Sequence, residues 1–322
     1  MKRLPIILLL VLALGAGAWF YLKGNKEPEA PGSGGRVPFT PLPALADGFS
    51  GAKAYEQVKG LVELGPRPPG SEGYEKALVY LEGEFAKLGW TTQRQSFTRT
   101  PHLPGEATPR AAIKFTNLLA RHGQAVDWRK SVPVVIGGHL DSKVQPFHFV
   151  SANDGGSSTG VIVELARVLA TNAQAAGQVE LVLFDGEEAV LGNITQVDGL
   201  YGSKYYALEM SKRTTWPSIG IVLDLIGDKD YPTQYNPDLP KNLSAPLLEA
   251  AKASGMSLNA YPGSILDDHV PLQGTKLPTL HMIGDYNQMP YWHMEGDTLE
   301  VIDAEALEQT GRTVLRFLER VK

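Results

Sequence analysis

The chain has 322 residues, of which 43% are hydrophobic and 20% charged, and its formal net charge is -5. This composition suits a globular protein with a large core, and its mild acidity argues against a nucleic-acid partner. Because the sequence contains no cysteine, disulfides, thiolate metal ligands and a cysteine nucleophile are all excluded. A metal ion in this protein would therefore have to be bound by His, Asp or Glu.

The amino-terminal segment has the pattern of a targeting sequence. Lys2 and Arg3 precede an apolar run that extends to Leu22, with small residues at 16–18 that suit signal-peptidase cleavage. The run also ends in aromatic residues and, at about 18 residues, is near the lower limit for a membrane span. Residues 1–22 are therefore predicted to be either a cleaved signal peptide or a retained membrane anchor. Both alternatives place the folded body outside the cytoplasm, whether secreted, periplasmic or anchored to the membrane.

The rest of the chain divides into a linker and one folded unit. Residues 23–40 are rich in Gly, Pro, Glu and Lys, which predicts a flexible linker. Residues 41–322 contain no internal repeat and no second linker, and they are predicted to form one catalytic domain.

Helical and strand patterns alternate along this domain. Apolar spacing predicts helices at 51–64, 71–89, 158–171, 201–212, 243–254 and 303–321. Alternating polarity predicts strands at 91–99 and 111–119. Continuous apolar runs predict strands buried on both faces at 132–141, 179–188 and 218–228, and a short strand is predicted at 277–283. The fold class predicted is α/β, with a mostly parallel, mixed central sheet and helices on both faces.

Acidic residues and a histidine follow three of the apolar strands. These residues are His139 and Asp141, then Asp185, Glu187 and Glu188, then Asp224. Loops between the elements add Asp154, Asp267, Asp268, His269 and His293. A single Asp after a strand often only caps a helix. Acidic residues and histidines at three strand ends and on several loops are hard to explain as caps. Ligands bind beyond the carboxyl ends of such strands, so these residues are expected to form a site. Without thiols, this is the ligand set expected for a catalytic zinc ion.

Seven sequence blocks, taken in order, resemble the superfamily of zinc aminopeptidases and glutaminyl-peptide cyclotransferases. They are GGHLDSK (137–143), ANDGGSSTG (152–160), FDGEEA (184–189), LYGSKYYA (200–207), LDLIGD (223–228), DDHVP (267–271) and WHMEGDT (292–298). HLDSK, LYGSK, LDLIGD and DDHVP are more similar to glutaminyl cyclases than to ordinary aminopeptidases. The resemblance extends from about residue 50 to the carboxyl terminus and implies the zinc-exopeptidase fold.

The resemblance also implies a metal site. One zinc ion would be bound by Asp154, Glu188 and His293, with a position left open for substrate or water. His139 and Asp224 match the residues that bind a second zinc ion in the aminopeptidases, and they are also present in the cyclases, where one ion is usual. Ligand identity therefore does not separate the two activities.

Catalytic and substrate-binding roles follow from the same resemblance. Glu187 would be the proton shuttle, assisted by Asp224 and by Asp267 in a hydrogen-bond network. Trp292 would form a wall of the substrate pocket, and His281 matches a pocket histidine but lies in an apolar strand, where a structural role is an equal alternative. One departure from the cyclases is the segment VLGNITQVDG at 190–199, which lacks their usual tryptophan.

Three functions are compatible with these residues. The resemblance implies a zinc-dependent glutaminyl-peptide cyclotransferase, an acyltransferase that converts the amino-terminal glutamine of peptides to pyroglutamate and releases ammonia. The first alternative is a zinc aminopeptidase, a hydrolase that removes amino-terminal residues and would bind two zinc ions. The second is a non-catalytic binding domain on the same fold, against which the complete ligand set argues. The expected partners are peptide or protein amino termini, and the oligomeric state stays open.

Overall fold

The computed structural model describes residues 35–102 and 110–321. Residues 1–22, predicted as a signal peptide or anchor, and most of the predicted linker lie outside the described residues. Among the residues described, no helix is long and apolar enough to cross a membrane. The end of the predicted linker is attached to the folded body, because the N–H of Val37 donates to the carbonyl oxygen of Trp216 at 2.7 Å and Arg36 donates to Pro217 at the same distance.

One sheet organises the described part of the chain. Its strands are β1 (Trp90–Arg99), β2 (Ile113–His122), β3 (Val134–His139), β4 (Val179–Phe184), β5 (Ile219–Asp224), β6 (Thr233–Tyr235), β7 (Asn259–Ala260) and β8 (Thr279–Gly284). The eight strands are arranged in the order β1-β2-β4-β3-β5-β8-β6-β7. The central strands β4, β3, β5 and β8 are parallel, whereas β1-β2, β2-β4 and β8-β6 pair antiparallel. The predicted mixed sheet is confirmed.

Eight α-helices of the described chain connect these strands. They are α1 (Gly51–Val62), α2 (Glu72–Lys87), α3 (Gly156–Leu169), α4 (Ala173–Ala176), α5 (Tyr201–Ser211), α6 (Lys241–Ala253), α7 (His269–Gly274) and α8 (Ala304–Arg320). Side-chain oxygens begin several of them: Ser50 accepts from the N–H of Lys53 at α1, and Ser71 accepts from the N–H of Tyr74 at α2. Such caps satisfy N–H groups that have no partner within the helix.

Helices cover both faces of the sheet. Successive residues of a strand point to opposite faces, and in β3 Ile136 joins the larger core while Val135 joins a smaller one. The larger core includes apolar side chains of α1, α3, α6 and α8, and the smaller includes Tyr206 of α5 and Leu272 of α7. Because both faces are covered, the central strands are buried throughout, which explains their unbroken apolar sequences.

The structure differs from the predicted elements mainly near the acidic residues. The strand predicted at 179–188 ends at Phe184, because Gly186 takes a positive φ of 69° and turns the chain out of the sheet. Strands β6 and β7 and helix α7 are not among the predicted elements, since two to six residues are too few to establish a hydrophobic period.

Candidate metal and catalytic site

The acidic and histidine residues of the sequence blocks converge at the carboxyl ends of the parallel strands. His139 ends β3, Asp224 ends β5, and Glu187 and Glu188 follow β4. Asp154 lies just before α3. Asp154, Glu187, Glu188 and Asp224 line a cavity of about 320 Å³, and His139 lies beside Asp154 and Asp224. This is the edge at which ligands bind in open α/β sheets.

Asp154, Glu188 and His293 form one compact group of possible metal ligands. Nε2 of His293 lies 2.9 Å from Oε1 of Glu188 and 3.2 Å from Oδ2 of Asp154. Both carboxylate oxygens are buried and lack a hydrogen-bond partner, an arrangement that costs free energy unless a cation is bound nearby. Two carboxylates and one imidazole fit a zinc ion with an open position, so the residues present suit the ion that the sequence implies.

A second group shares Asp154 with the first. Nε2 of His139 lies 3.0 Å from Oδ1 of Asp154 and 3.1 Å from Oδ1 of Asp224. The two oxygens of Asp154 therefore face different groups, one containing His293 and the other containing His139. The structure thus brings the residues of the possible second metal site together with those of the first.

The histidines of both groups are surrounded by carboxylates. Burial alone would lower the pKa of His293, but Asp154 and Glu188 outweigh it and raise that pKa to about 9. Burial is likewise outweighed at His139, where Asp141, Asp154 and Asp224 hold the pKa well above its usual range. Metal binding competes with these protons and releases them.

Two further carboxylates hold the backbone of the ligands in place. Oδ1 and Oδ2 of Asp141 accept from the N–H groups of Glu187 and Glu188 at 3.1 and 3.2 Å. The carboxylate of Asp297 accepts from the N–H groups of Asn153 and Asp154 at 2.6 and 3.1 Å. Asp141 is recognisable from its block in the sequence, whereas Asp297 occupies the GDT ending without a predicted role.

Unusual backbone conformations also occur at the site. Leu225 follows Asp224 with a φ of 51°, and the ligand candidate His293 has a φ of 57°. Gly155 has a φ of 79°, and a Cβ atom there would lie 2.8 Å from Cε1 of His139. Left-handed conformations at non-glycine residues cost about 1–3 kcal/mol and cluster at functional sites.

The predicted catalytic acids line the same cavity as the candidate ligands. Glu187, Asp224 and Asp267 all border it and all are buried. Burial, reinforced by the carboxyl groups of Asp267 and Glu188, raises the pKa of Glu187 well above its usual range despite the opposing effect of His139. Burial also raises the pKa of Asp224 to about 6, although His139 lowers it. Perturbed carboxyl groups in a cavity are typical of an acid–base site.

His281 lies beside Asp267 and is not one of the residues that line the cavity, so the geometry favours the structural alternative over a place in the pocket wall. It is fully buried in β8, where its Nε2 lies 2.8 Å from Oδ2 of Asp267 and its Nδ1 lies 3.2 Å from the hydroxyl of Tyr261. Burial would raise the pKa of Asp267, but His281 outweighs it and lowers that pKa to about 2. The contact with His281 therefore orients Asp267, which fits the structural alternative.

Aromatic and apolar residues complete the cavity wall. Trp292 lines the cavity, with its ring stacked on His293 at a centroid distance of 4.2 Å and tilted against Tyr286 at 4.8 Å. Ile194, within the segment that lacks the cyclase tryptophan, also borders the cavity. Tyr286 and Ile194, which sequence patterns did not single out, thus contribute to the wall.

Lys143 is a further site residue that the sequence did not predict. Its Nζ lies 3.0 Å from Oε2 of Glu188, and the residue borders the cavity. The only signal in the sequence was its position at the end of the GGHLDSK block.

The fold and the site together define a metal-dependent enzyme of the exopeptidase type. The chain belongs to peptidase family M28, whose profile matches residues 117–318. This membership confirms the superfamily that the sequence blocks indicate.

Individual relatives agree with that assignment. A glutaminyl-peptide cyclotransferase-like protein of Bos taurus is 28% identical over 289 residues, which cover 78% of this chain and 71% of the relative. The crystal structure of an Acidobacteriales bacterium glutaminyl cyclase matches with a TM-score of 0.72 and 27% identity, over 89% of this chain and 98% of that one. A leucine aminopeptidase precursor from Bacteroides thetaiotaomicron has the same fold, with a TM-score of 0.73 and 22% identity, over 85% of this chain and 98% of that one.

Proposed function

We propose that this protein is a zinc-dependent glutaminyl-peptide cyclotransferase, which converts an amino-terminal glutamine to pyroglutamate and releases ammonia. The observation that carries the proposal is that Glu187, Asp224 and Asp267 line one cavity with the candidate zinc ligands. In cyclisation, the α-amine of the terminal glutamine attacks the side-chain amide of the same residue, and a proton must pass from that amine to the departing ammonia. Clustered carboxyl groups suit this proton transfer. Similarity to proteins named glutaminyl cyclases supports the same conclusion.

Each residue at the site then has a defined task. Asp154, Glu188 and His293 would hold one zinc ion, which would supply a Lewis acid that polarises a carbonyl group. Glu187 accepts a proton from the α-amine of the substrate and donates it to the departing ammonia, the role for which its raised pKa suits it. Asp224 and Asp267 steer that proton. Trp292 limits the width of the cavity, so that the glutamine side chain and the α-amine are held together.

An aminopeptidase is the second candidate, and a specific observation favours it. His139, Asp154 and Asp224 form a group that could bind a second ion, and family M28 is a peptidase family. In that reaction Glu187 would deprotonate a water molecule that attacks the first peptide bond. Asp224 would then be a metal ligand and not a member of a proton network.

Metal counting combined with a paired product assay separates the two activities. We expect one zinc ion per chain, ammonia and pyroglutamyl product from a glutamine-initiated peptide, and no leucine from a leucine-initiated one. Asp224→Asn and Asp267→Asn should each reduce cyclisation sharply, by about 10²–10⁴-fold, because each removes a proton-steering carboxylate. Both variants should retain one zinc ion.

Two results would reject this assignment. Two zinc ions in the wild type, one of them lost in Asp224→Asn, together with leucine release and no pyroglutamyl product, would establish the aminopeptidase. Full activity after exhaustive chelation, with no residual metal, would show that neither reaction requires zinc.

The proposed substrates are the amino termini of peptides or proteins. We further propose an extracytoplasmic location, since residues 1–22 have the pattern of a signal peptide or membrane anchor. Membrane attachment would depend on whether that segment is retained.

A further inference from the structure

Lys143 makes an unusually complete set of contacts at the edge of the cavity. Its Nζ donates to Oε2 of Glu188 at 3.0 Å, to the carbonyl oxygen of Gly192 at 2.9 Å and to that of Ala189 at 3.4 Å. Its side chain is only 13% exposed. Since an ammonium group has three donors, these contacts direct all of them and fix the position of the charge.

The first contact divides the two oxygens of Glu188 between different partners. Oε2 is bound by Lys143, whereas Oε1 is buried, has no hydrogen-bond partner and lies 2.9 Å from Nε2 of His293. Only Oε1 is therefore directed toward the other candidate zinc ligands. A carboxylate held in this way is prepared to bind a metal ion through a single oxygen.

The other two contacts reach the cavity wall. Ala189 and Gly192 belong to the segment that continues to Asn193 and Ile194, and these two residues line the cavity. One ammonium group consequently holds both a candidate metal ligand and the segment that lacks the tryptophan usual in the cyclases.

We propose that Lys143 is a positioning residue, which orients Glu188 for single-oxygen binding of zinc and fixes the segment 189–194 against the substrate. The proposal rests on the zinc site of the proposed function. A positive charge near the site also repels a metal cation, which acts in the opposite direction. Orientation should dominate, because the loss of partners that hold metal ligands typically weakens metal binding by about 10–100-fold.

Competition with a chelator measures the effect on zinc binding. We expect Lys143→Met to bind zinc about 10–100-fold more weakly than the wild type and to show a raised KM for a glutamine-initiated peptide. Lys143→Arg should recover part of both losses, because guanidinium can donate to the same oxygens. If Lys143→Met does not fold, zinc affinity is measured on Lys143→Gln, which keeps a hydrogen-bond donor without the charge.

Lys204→Met is the matched control. Lys204 donates to the carbonyl oxygens of Gln196 and Gly199 at 3.1 and 2.8 Å, so it holds the other end of the same loop. Its substitution should leave zinc affinity at the wild-type value.

Three results would overturn the proposal. Zinc affinity in Lys143→Met that equals or exceeds that of the wild type would show that orientation of Glu188 does not matter. An equal loss of zinc affinity in Lys204→Met would assign the effect to the loop. A wild-type protein that binds no zinc would overturn the proposed function as well, which distinguishes that failure from the first two.

Discussion

The two ends of strand β4 contain buried acidic residues in opposite electrostatic situations. At the amino end, both oxygens of Glu180 are paired: Oε2 accepts from Nε of Arg121 at 2.5 Å, and Oε1 accepts from Nη1 of Arg213 at 2.9 Å and from the hydroxyl of Tyr206. At the carboxyl end, Oε1 of Glu188 is buried without a hydrogen-bond partner, and Glu187 lies among other acids.

This difference shows how a buried charge can be assigned to structure or to function. The arginines compensate the charge of Glu180 and lower its pKa even though burial raises it. The pKa of Glu187 is instead raised, first by burial and then by nearby carboxyl groups. Removal of a buried acid with complete partners leaves those partners uncompensated and destabilises the fold. A cluster of acids without such partners is instead typical of a site that a cation and a substrate complete.

The largest difference between the two ends should appear in catalysis. We expect Glu187→Gln to lower turnover by about 10²–10⁴-fold, because the variant cannot transfer a proton, while its zinc content stays near that of the wild type. Glu188→Gln should lose zinc as well as activity, since it alters a candidate ligand. Metal analysis and an ammonia-release assay on both variants test this, and equal metal content with equal activity in the two would show that the roles are wrongly divided.

Glu180 should behave in the opposite way. We expect Glu180→Gln to lower the free energy of unfolding by about 3 kcal/mol, because it leaves two buried arginines without a compensating charge. Zinc content and turnover of the folded fraction should remain at wild-type values. Urea denaturation measures the first quantity, and the metal and ammonia assays measure the others.

An exposed ion pair provides the control for this stability effect. Glu209 on α5 pairs with Lys212 just beyond its end, and their side chains are 31% and 59% exposed. Glu209→Gln should change the free energy of unfolding by less than about 1 kcal/mol. A similar loss in both variants would mean that burial and pairing do not distinguish Glu180 from a surface residue.

Much of the architecture could be predicted because it depends on local patterns. Unbroken apolar runs followed by acids indicated the buried strands and the edge where the site lies, and helical spacing indicated α1, α2, α3, α5, α6 and α8. The order of sequence blocks then indicated which acids and histidines belong together. The candidate ligands Asp154, Glu188 and His293 do converge in the structure.

The remaining features depend on contacts between distant parts of the chain. Arg121 lies in β2, Glu180 in β4 and Arg213 in the loop after α5, and nothing in their local sequence shows that they meet. His281 lies against Asp267 and does not line the cavity, a placement that depends on the register of β8, which a strand pattern alone does not fix. Lys143 acquires its position only when β3 is placed beside the turn after β4.

The smallest expected difference between the two ends is a pH dependence of stability. Burial raises the pKa of Glu180, but Arg213, Arg121 and Tyr206 outweigh it and hold that pKa below its usual range. Ionised Glu180 therefore stabilises the fold at pH values above its unfolded pKa of about 4.3. This contribution is lost as the pH falls through the lower pKa of the folded state.

We expect the difference in unfolding free energy between the wild type and Glu180→Gln to be constant near neutral pH and to shrink in acid. Urea denaturation of both proteins from neutral pH to about pH 3 measures this difference. Other groups that titrate alike in both proteins contribute equally to the two free energies, so their contributions cancel in the difference. A difference that stays constant over this range would show that the charge of Glu180 does not stabilise the amino end of β4.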